Sequence, residues 1–254
     1  MKMKNATSCL RKGKVLSVFL VLVMMVALLR VAFPTPALAA PQTLENSVMR
    51  VVFDDYDYLD GRGFYYFESG VTNHMNLARM GIKYDGAGFK WFSQLSNPNP
   101  GTLTLFTSDG KLRLNLSVSL VNPKPFFTIN VGVTNLTPTP VSNLSLFLGS
   151  DEDIHGTPAS DSGKYVPEID AVVAYGAGNA GLPDLYLGFA GSRRSAAHHI
   201  NGLTLWTDVE TDTLNNLNSR GPTDIGIAEK WNLGNVAALG STSLAITWAF
   251  GTTL

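Results

Sequence analysis

Apolar side chains recur at every second position through several short segments of the chain. Residues 111–120 (KLRLNLSVSL) place Leu112, Leu114, Leu116, Val118 and Leu120 on one side and Lys, Arg, Asn and two Ser on the other. A period of two is the mark of a strand with one buried face and one wet face. Residues 102–106 (TLTLF) share the period, and Ser108-Asp109-Gly110 between the two runs supplies turn chemistry, so the pair reads as a hairpin. Segments 127–133, 141–148 and 244–250 repeat the pattern. In the last, Leu244, Ile246, Trp248 and Phe250 point one way while Ala245, Thr247 and Ala249 point the other. No window carries an amphipathic helix of three turns; residues 74–80 (HMNLARM) and 224–231 (DIGIAEKW) suit a short helix or a strand equally. Strands returning roughly every 8 to 12 residues predict an all-β antiparallel sandwich, a single domain over residues 48–254. A membrane-spanning barrel fits less well, because many of these strands are shorter than the roughly 9 to 11 residues a span requires.

The first forty residues break the pattern. Lys2, Lys4, Arg11, Lys12 and Lys14 precede residues 15–29 (VLSVFLVLVMMVALL), in which only Ser17 is polar. Arg30 closes the run, Pro34 and Pro36 follow, and Ala37-Leu38-Ala39 presents small residues at the −3 and −1 positions of a cleavage site. This predicts a signal peptide over 1–39 and a secreted protein, extracellular or at the cell surface, which touches membrane only while that segment is uncleaved. Residues 40–47 (APQTLENS) then form a polar, mobile leader before a strand at 48–53. Such a leader can add to an exposed sheet edge of a neighbouring copy or fold onto its own domain.

With 45% hydrophobic and 15% charged residues, the composition is that of an ordered globular protein. Six of the nineteen Lys and Arg, and none of the twenty Asp and Glu, fall before residue 40. The exported part is therefore acidic, which argues against a nucleic-acid partner, since that needs clustered cations. Cys9 is the one cysteine, so no disulfide staples the exported part, and stability must come from a core, metal ions or assembly.

Acidic clusters supply the metal candidates. Asp55, Asp57 and Asp60 lie in the segment 54–61 (DDYDYLDG), and Asp151 and Asp153 precede Gly156; alternate carboxylates on a loop can turn several hard oxygens toward one Ca²⁺. Asp208, Glu210 and Asp212 would share one face of a strand, there to coordinate a cation or to repel one another. His198 and His199, adjacent on a strand, would face opposite ways and so could not share a zinc ion. Tyr65 and Tyr66, within the run 64–67 (FYYF), and Trp91 are the ligand-binding candidates, because aromatic faces stack on sugar rings. No H-E-x-x-H, G-x-S-x-G or P-loop occurs, and no spacing singles out a carboxylate pair for glycoside hydrolysis, so no catalytic residue is named.

Residues 131–147 (VGVTNLTPTPVSNLSLF), continued by 149–156 (GSDEDIHG), resemble the strand, Asn, Pro-containing turn and next-strand pattern of secreted bacterial immunoglobulin-like or supersandwich modules of cell-surface and extracellular-matrix proteins. The resemblance implies secretion and β-structure, with adhesion or architecture as the usual employment. Two readings follow. One is a non-enzymatic subunit of a surface layer, fibre or matrix that associates with itself or with other surface proteins. The other is a module that binds or processes polysaccharide. If the A-L-A site is used, N-terminal sequencing of protein recovered from the medium or cell surface will begin at Ala40; an intact Met1 form held in membrane would overturn that expectation.

Overall fold

The computed structural model describes residues 42–53, 65–66, 74–88, 90–96, 101–156, 160–176 and 184–252. A small antiparallel sheet holds β1 (Gln42–Glu45), β2 (Met49–Phe53) and β3 (Tyr65–Tyr66). Then come β4 (Met75–Lys83), β5 (Lys90–Ser96), β6 (Thr102–Thr107), β7 (Leu112–Leu120), β8 (Phe126–Asn135) and β9 (Val141–Glu152). After a 3-10 turn (Ile154–Gly156) follow β10 (Asp161–Val166), β11 (Ala171–Gly176), β12 (Leu185–Gly191) and β13 (Ala197–Ile200). Helix α1 (Leu205–Thr211) precedes β14 (Ser219–Thr223), β15 (Ile225–Val236) and β16 (Ser241–Gly251). The expected all-β antiparallel sandwich is what the chain forms.

Hydrogen bonding runs through thirteen strands in the order β13-β15-β9-β4-β5-β6-β7-β8-β16-β12-β11-β10-β14. Strand β5 carries the ribbon from one layer to the other. Its first residues pair with β4, Trp91 opposite Gly81, and the rest pair with β6 after a register shift between Phe92 and Gln94. A bulge at a corner is how a strand changes sheets. The layers thus consist of β13-β15-β9-β4 and of β5-β6-β7-β8-β16-β12-β11-β10-β14, and a single apolar cluster draws on both.

The alternation read from the sequence sets what enters that cluster. Leu112, Leu114 and Leu116 of β7, Ile129, Val131 and Val133 of β8, and Leu244, Ile246, Trp248 and Phe250 of β16 are all buried. Trp248 occupies the centre of the larger layer, stacked on Phe127 with ring centroids 5.9 Å apart and tilted against Phe189 at 4.5 Å.

The smaller layer is covered on its other side as well, by α1. Leu205 and Val209, one turn apart, pack with Phe147, Ala228 and Leu214 in a second apolar cluster. Gly149 admits the helix, since a Cβ there would stand 3.0 Å from the Trp206 ring. The acidic run expected on a strand face is therefore helical. Asp208 accepts a hydrogen bond from the Thr204 hydroxyl, and Asp212 ends the helix in the left-handed region at φ 61°. Its carboxylate pairs with Lys230 at 2.7 Å and Lys83 at 3.0 Å. The two ambiguous segments, 74–80 and 224–231, both belong to strands, β4 and β15.

The described part of the leader, from Gln42, lies in a strand. Gln42–Glu45 pairs with β2, and Asn46 ties the hairpin to the β7–β8 turn by donating to the Val121 and Lys124 carbonyls, each at 3.1 Å. The run 1–39 lies outside the described residues. Among the described residues no helix is long and apolar enough to cross a membrane.

Because bulk alternates with smallness on β16, adjacent substitutions there should differ sharply. Trp248→Ala is expected to lower the unfolding free energy by about 4 kcal/mol in urea titrations, whereas exposed Thr247→Ala should stay within about 0.5 kcal/mol. Equal effects would mean that the inward and outward assignment of β16 is wrong.

Candidate functional site

Three adjacent strands of the larger layer turn unusually small side chains outward. Register sets them in rows. One row runs Lys164, Val173, Gly188, Ala249 across β10, β11, β12 and β16; the rows on either side contain Tyr175, Tyr186, Gly251 and Ala171, Ala190, Thr247. On a pleated face, Ala and Gly at neighbouring positions leave a trough where Thr or Leu would fill it. Here the trough measures about 310 Å³ and is bounded by Tyr186, Val173, Thr247 and Ile169. Gly188 is required at its floor by a close approach, for a Cβ would meet the Val172 carbonyl oxygen at 2.5 Å and the Val173 side chain at 2.8 Å. None of the described lining residues is charged.

One rim is aromatic. Tyr175 and Tyr186 stack with centroids 5.6 Å apart and planes 25° from parallel. The Lys164 ammonium lies 5.5 Å from one ring and 5.6 Å from the other, within cation–π range of both. On the opposite rim Thr247 shares a hydrogen bond with Thr128 of β8 at 3.2 Å. The trough can thus take a flat apolar surface on its floor, a ring edge against Tyr186 and polar groups at both ends.

Behind this face, between the layers, sits a buried ionisable group. Glu229 follows Ile227 and precedes Trp231 on the inward side of β15, and neither of its carboxylate oxygens has a hydrogen-bond partner. Burial first, and then the charge of Asp170, push its carboxyl up to about 9, so the group is protonated at neutral pH. Asp170 goes the other way. Burial alone would raise it, but the Tyr165 hydroxyl at 2.6 Å and the Ser195 backbone N–H and hydroxyl at 2.5 and 2.8 Å hold it below the ordinary range. His198, cross-strand from Glu229, stacks on Tyr165 with centroids 3.9 Å apart. Its neighbour His199 faces the other way, toward Asp208 at 3.6 Å, as adjacent strand positions must.

A second acidic group lies where β9 ends. Ser150 donates to one oxygen of Glu152, whose other oxygen has no partner, and burial holds this carboxyl well above its usual value. Asp161 accepts the Ile154 N–H at 2.8 Å; burial, opposed by that bond and reinforced by Asp153 and Asp224, leaves it at about 7. His74 accepts the His155 N–H at 3.0 Å, and burial together with His155 lowers its imidazolium to about 4.

The residues singled out in the sequence are scattered. Asp55, Asp57 and Asp60 lie outside the described residues. Asp151 pairs with Gly226 and Leu77 on the face of β9 opposite Glu152, and Asp153 follows the strand, its carboxyl raised by burial and by Asp224. Among the described residues no three His, Cys, Asp or Glu side chains gather as a cation-binding group. Tyr65 and Tyr66 pair with Arg50 and Met49 in the small sheet, while Trp91 is the second residue of the corner strand, opposite Gly81, so the three share no row. The trough and its tyrosines went unread. The available signal was Gly188 and Ala190, and Ala249 and Gly251, at alternate positions between bulky inward neighbours, with Ala171 on the strand beside them.

No family model matches the chain, nor does any curated protein. Among solved structures, the fold resembles part of a bacterial glucoamylase complexed with acarbose, with a TM-score of 0.61 and 12% identity over 87% of this chain. The chain spans about one third of that enzyme's length, 33%. Weaker likenesses are to an inverting mannosidase of Bacteroides thetaiotaomicron (TM-score 0.42, 16% identity, 85% of this chain and 27% of that one) and a galactose mutarotase related enzyme of Lactobacillus acidophilus (0.44, 10%, 84% and 97%). At these identities the first likeness shows a shared fold.

The buried acids fix how stability depends on pH. A carboxyl raised in the folded state stabilises fully below its unfolded value, and that contribution is lost as pH rises through the folded one, near 7 for Asp161 and near 9 for Glu229. His74, lowered to about 4, opposes this trend only below its ordinary 6.5. Melting temperature is therefore expected to decline from pH 6.5 to 9, each raised group contributing at most about 1.4 kcal/mol per pH unit. Glu229→Gln should flatten the decline; an unchanged slope would show that Glu229 does not carry it.

Proposed function

We propose that the protein is an exported carbohydrate-binding module, with its sugar site in the outward trough of β11, β12 and β16. The carrying observation is the registered Ala and Gly floor beside Tyr186, a depression of about 310 Å³, at the lower end of the roughly 300–1,000 Å³ of ligand sites. A pyranose presents apolar C–H groups on one face and hydroxyls at its edge. The floor suits the face, and Tyr186 and Thr247 offer hydroxyls to the edge. The apolar run at 15–29 supports export, and the fold shared with part of a glucoamylase is compatible with a sugar ligand.

Binding, rather than hydrolysis, is the activity proposed, because hydrolysis needs two carboxyl groups flanking the bond and no carboxylate stands among the described lining residues. Assembly through sheet edges draws less support. The terminal strands of the thirteen, β13 and β14, are four and five residues long, and β14 contains Pro222, features that blunt an edge.

The test is affinity electrophoresis against a panel of soluble polysaccharides, followed by titration with oligosaccharides of the retained type. Ala249→Trp, which fills the trough from an exposed position, is expected to weaken binding at least tenfold with little change in melting temperature. Tyr186→Ala should cost about 1 kcal/mol, roughly fivefold. Retention that Ala249→Trp leaves unaltered would remove the trough from the reading.

A further inference from the structure

We infer that the trough selects an acidic glycan, one whose rings carry a carboxylate or sulfate, and that Lys164 is the residue that reads the charge. The inference rests on the proposed sugar site and adds the class of sugar to it.

Lys164 differs from the other paired lysines of the two layers. Lys83 and Lys230 are committed to Asp212, and Lys111 pairs with Asp85. The Lys164 ammonium is held over two tyrosine rings, and among the described residues it engages no carboxylate. A cation resting on ring faces keeps its N–H groups open to an anion, whereas one in an ion pair has them satisfied. Two rings in place of one also narrow the positions of a long side chain, so less rotamer freedom is lost when a ligand arrives.

Its place in the register gives the charge a function. Lys164 heads the row that continues through Val173, which bounds the trough, to Gly188 and Ala249 on its floor, so its stem starts one strand beyond the lining. The ring nearest its ammonium on the trough side is Tyr186, the wall itself, at 5.6 Å. A pyranose seated on Gly188 and Ala249 with its edge at Tyr186 directs a ring substituent toward β10, where Lys164 waits. A neutral hydroxyl there would accept a hydrogen bond from the ammonium, and an anionic group would add the attraction of a full opposite charge to that bond. The acidic balance of the chain beyond residue 40, thirteen Lys and Arg against twenty Asp and Glu, gives no general attraction for polyanions, so any preference must be local.

The experiment compares the full exported chain with Lys164→Gln, Lys164→Arg and Ala249→Trp on four probes: polygalacturonate, its methyl ester, dextran sulfate and dextran. The wild type is expected to bind an anionic probe at least tenfold more tightly than the uncharged form of the same polymer. Lys164→Gln should reduce that preference below about twofold, weakening the anionic probe far more than its uncharged form, and Lys164→Arg should keep most of the preference. The polygalacturonate and dextran sulfate arms tell carboxylate from sulfate. Equal binding of charged and uncharged forms, or a preference that survives Lys164→Gln, overturns the inference while the sugar site stands if Ala249→Trp still abolishes binding. Indifference to Ala249→Trp on every probe overturns both.

Discussion

The inward packing of Trp248 is the contact on which the outer face depends. A strand has two faces, and a slip of one residue exchanges them, so the side that must bury the largest ring determines what the other side shows. With Trp248 wedged against Phe127 and Phe189, β16 is locked between β8 and β12, and Ala249 and Gly251 are left facing outward beside Gly188. The trough is thus a consequence of core registry. It needs no loop to shape it, and its geometry inherits the rigidity of three hydrogen-bonded strands.

That origin explains what the sequence disclosed. The strands of the larger layer have one wet face, so β6, β7, β8 and β16 carry clean alternation and were legible from Leu112 to Leu120 and from Leu244 to Phe250. The smaller layer lies between the other layer and α1. Its strands β9 and β15 are buried on both faces, which erases the period of two and makes 224–231 ambiguous. Helix α1 was missed for the converse reason. In seven residues its apolar stripe consists of Leu205 and Val209 alone, and Asp208, Glu210 and Asp212 recur at every second position as they would on one face of a strand. The trough was illegible on different grounds. Each of its strands contributes only one or two small residues, and nothing in one strand tells which partner, or which register, will bring the others beside it.

The ionisable groups behind the trough show a second consequence of burial. Glu229 takes an inward position on β15 that Ile227 and Trp231 occupy with apolar bulk on either side, and no hydrogen bond compensates either of its oxygens. A buried charge would cost far more than a buried neutral acid, so the group keeps its proton. Asp170 stands in the opposite condition: three donors converge on it and it stays ionised. The two together place one negative charge, rather than two, near the β10–β11 turn. Ile169, which bounds the trough, belongs to that same turn.

This arrangement limits how the outer face can present charge. An ionised Asp170 on the inner side of the turn adds a weak repulsion for anions at the rim, attenuated by the three hydrogen bonds that satisfy it, and protonated Glu229 adds none. Lys164, on the outer side of β10, therefore meets an approaching ligand with its attraction largely uncancelled. The positive charge of Arg194 also acts on Asp170 and offsets part of that repulsion, whereas an ionised Glu229 would add a second carboxylate on the inner side. Burial thus keeps Glu229 silent, and the charges left beside the proposed site are Asp170 with Arg194 on the inner side of the turn and Lys164 on the outer side of β10.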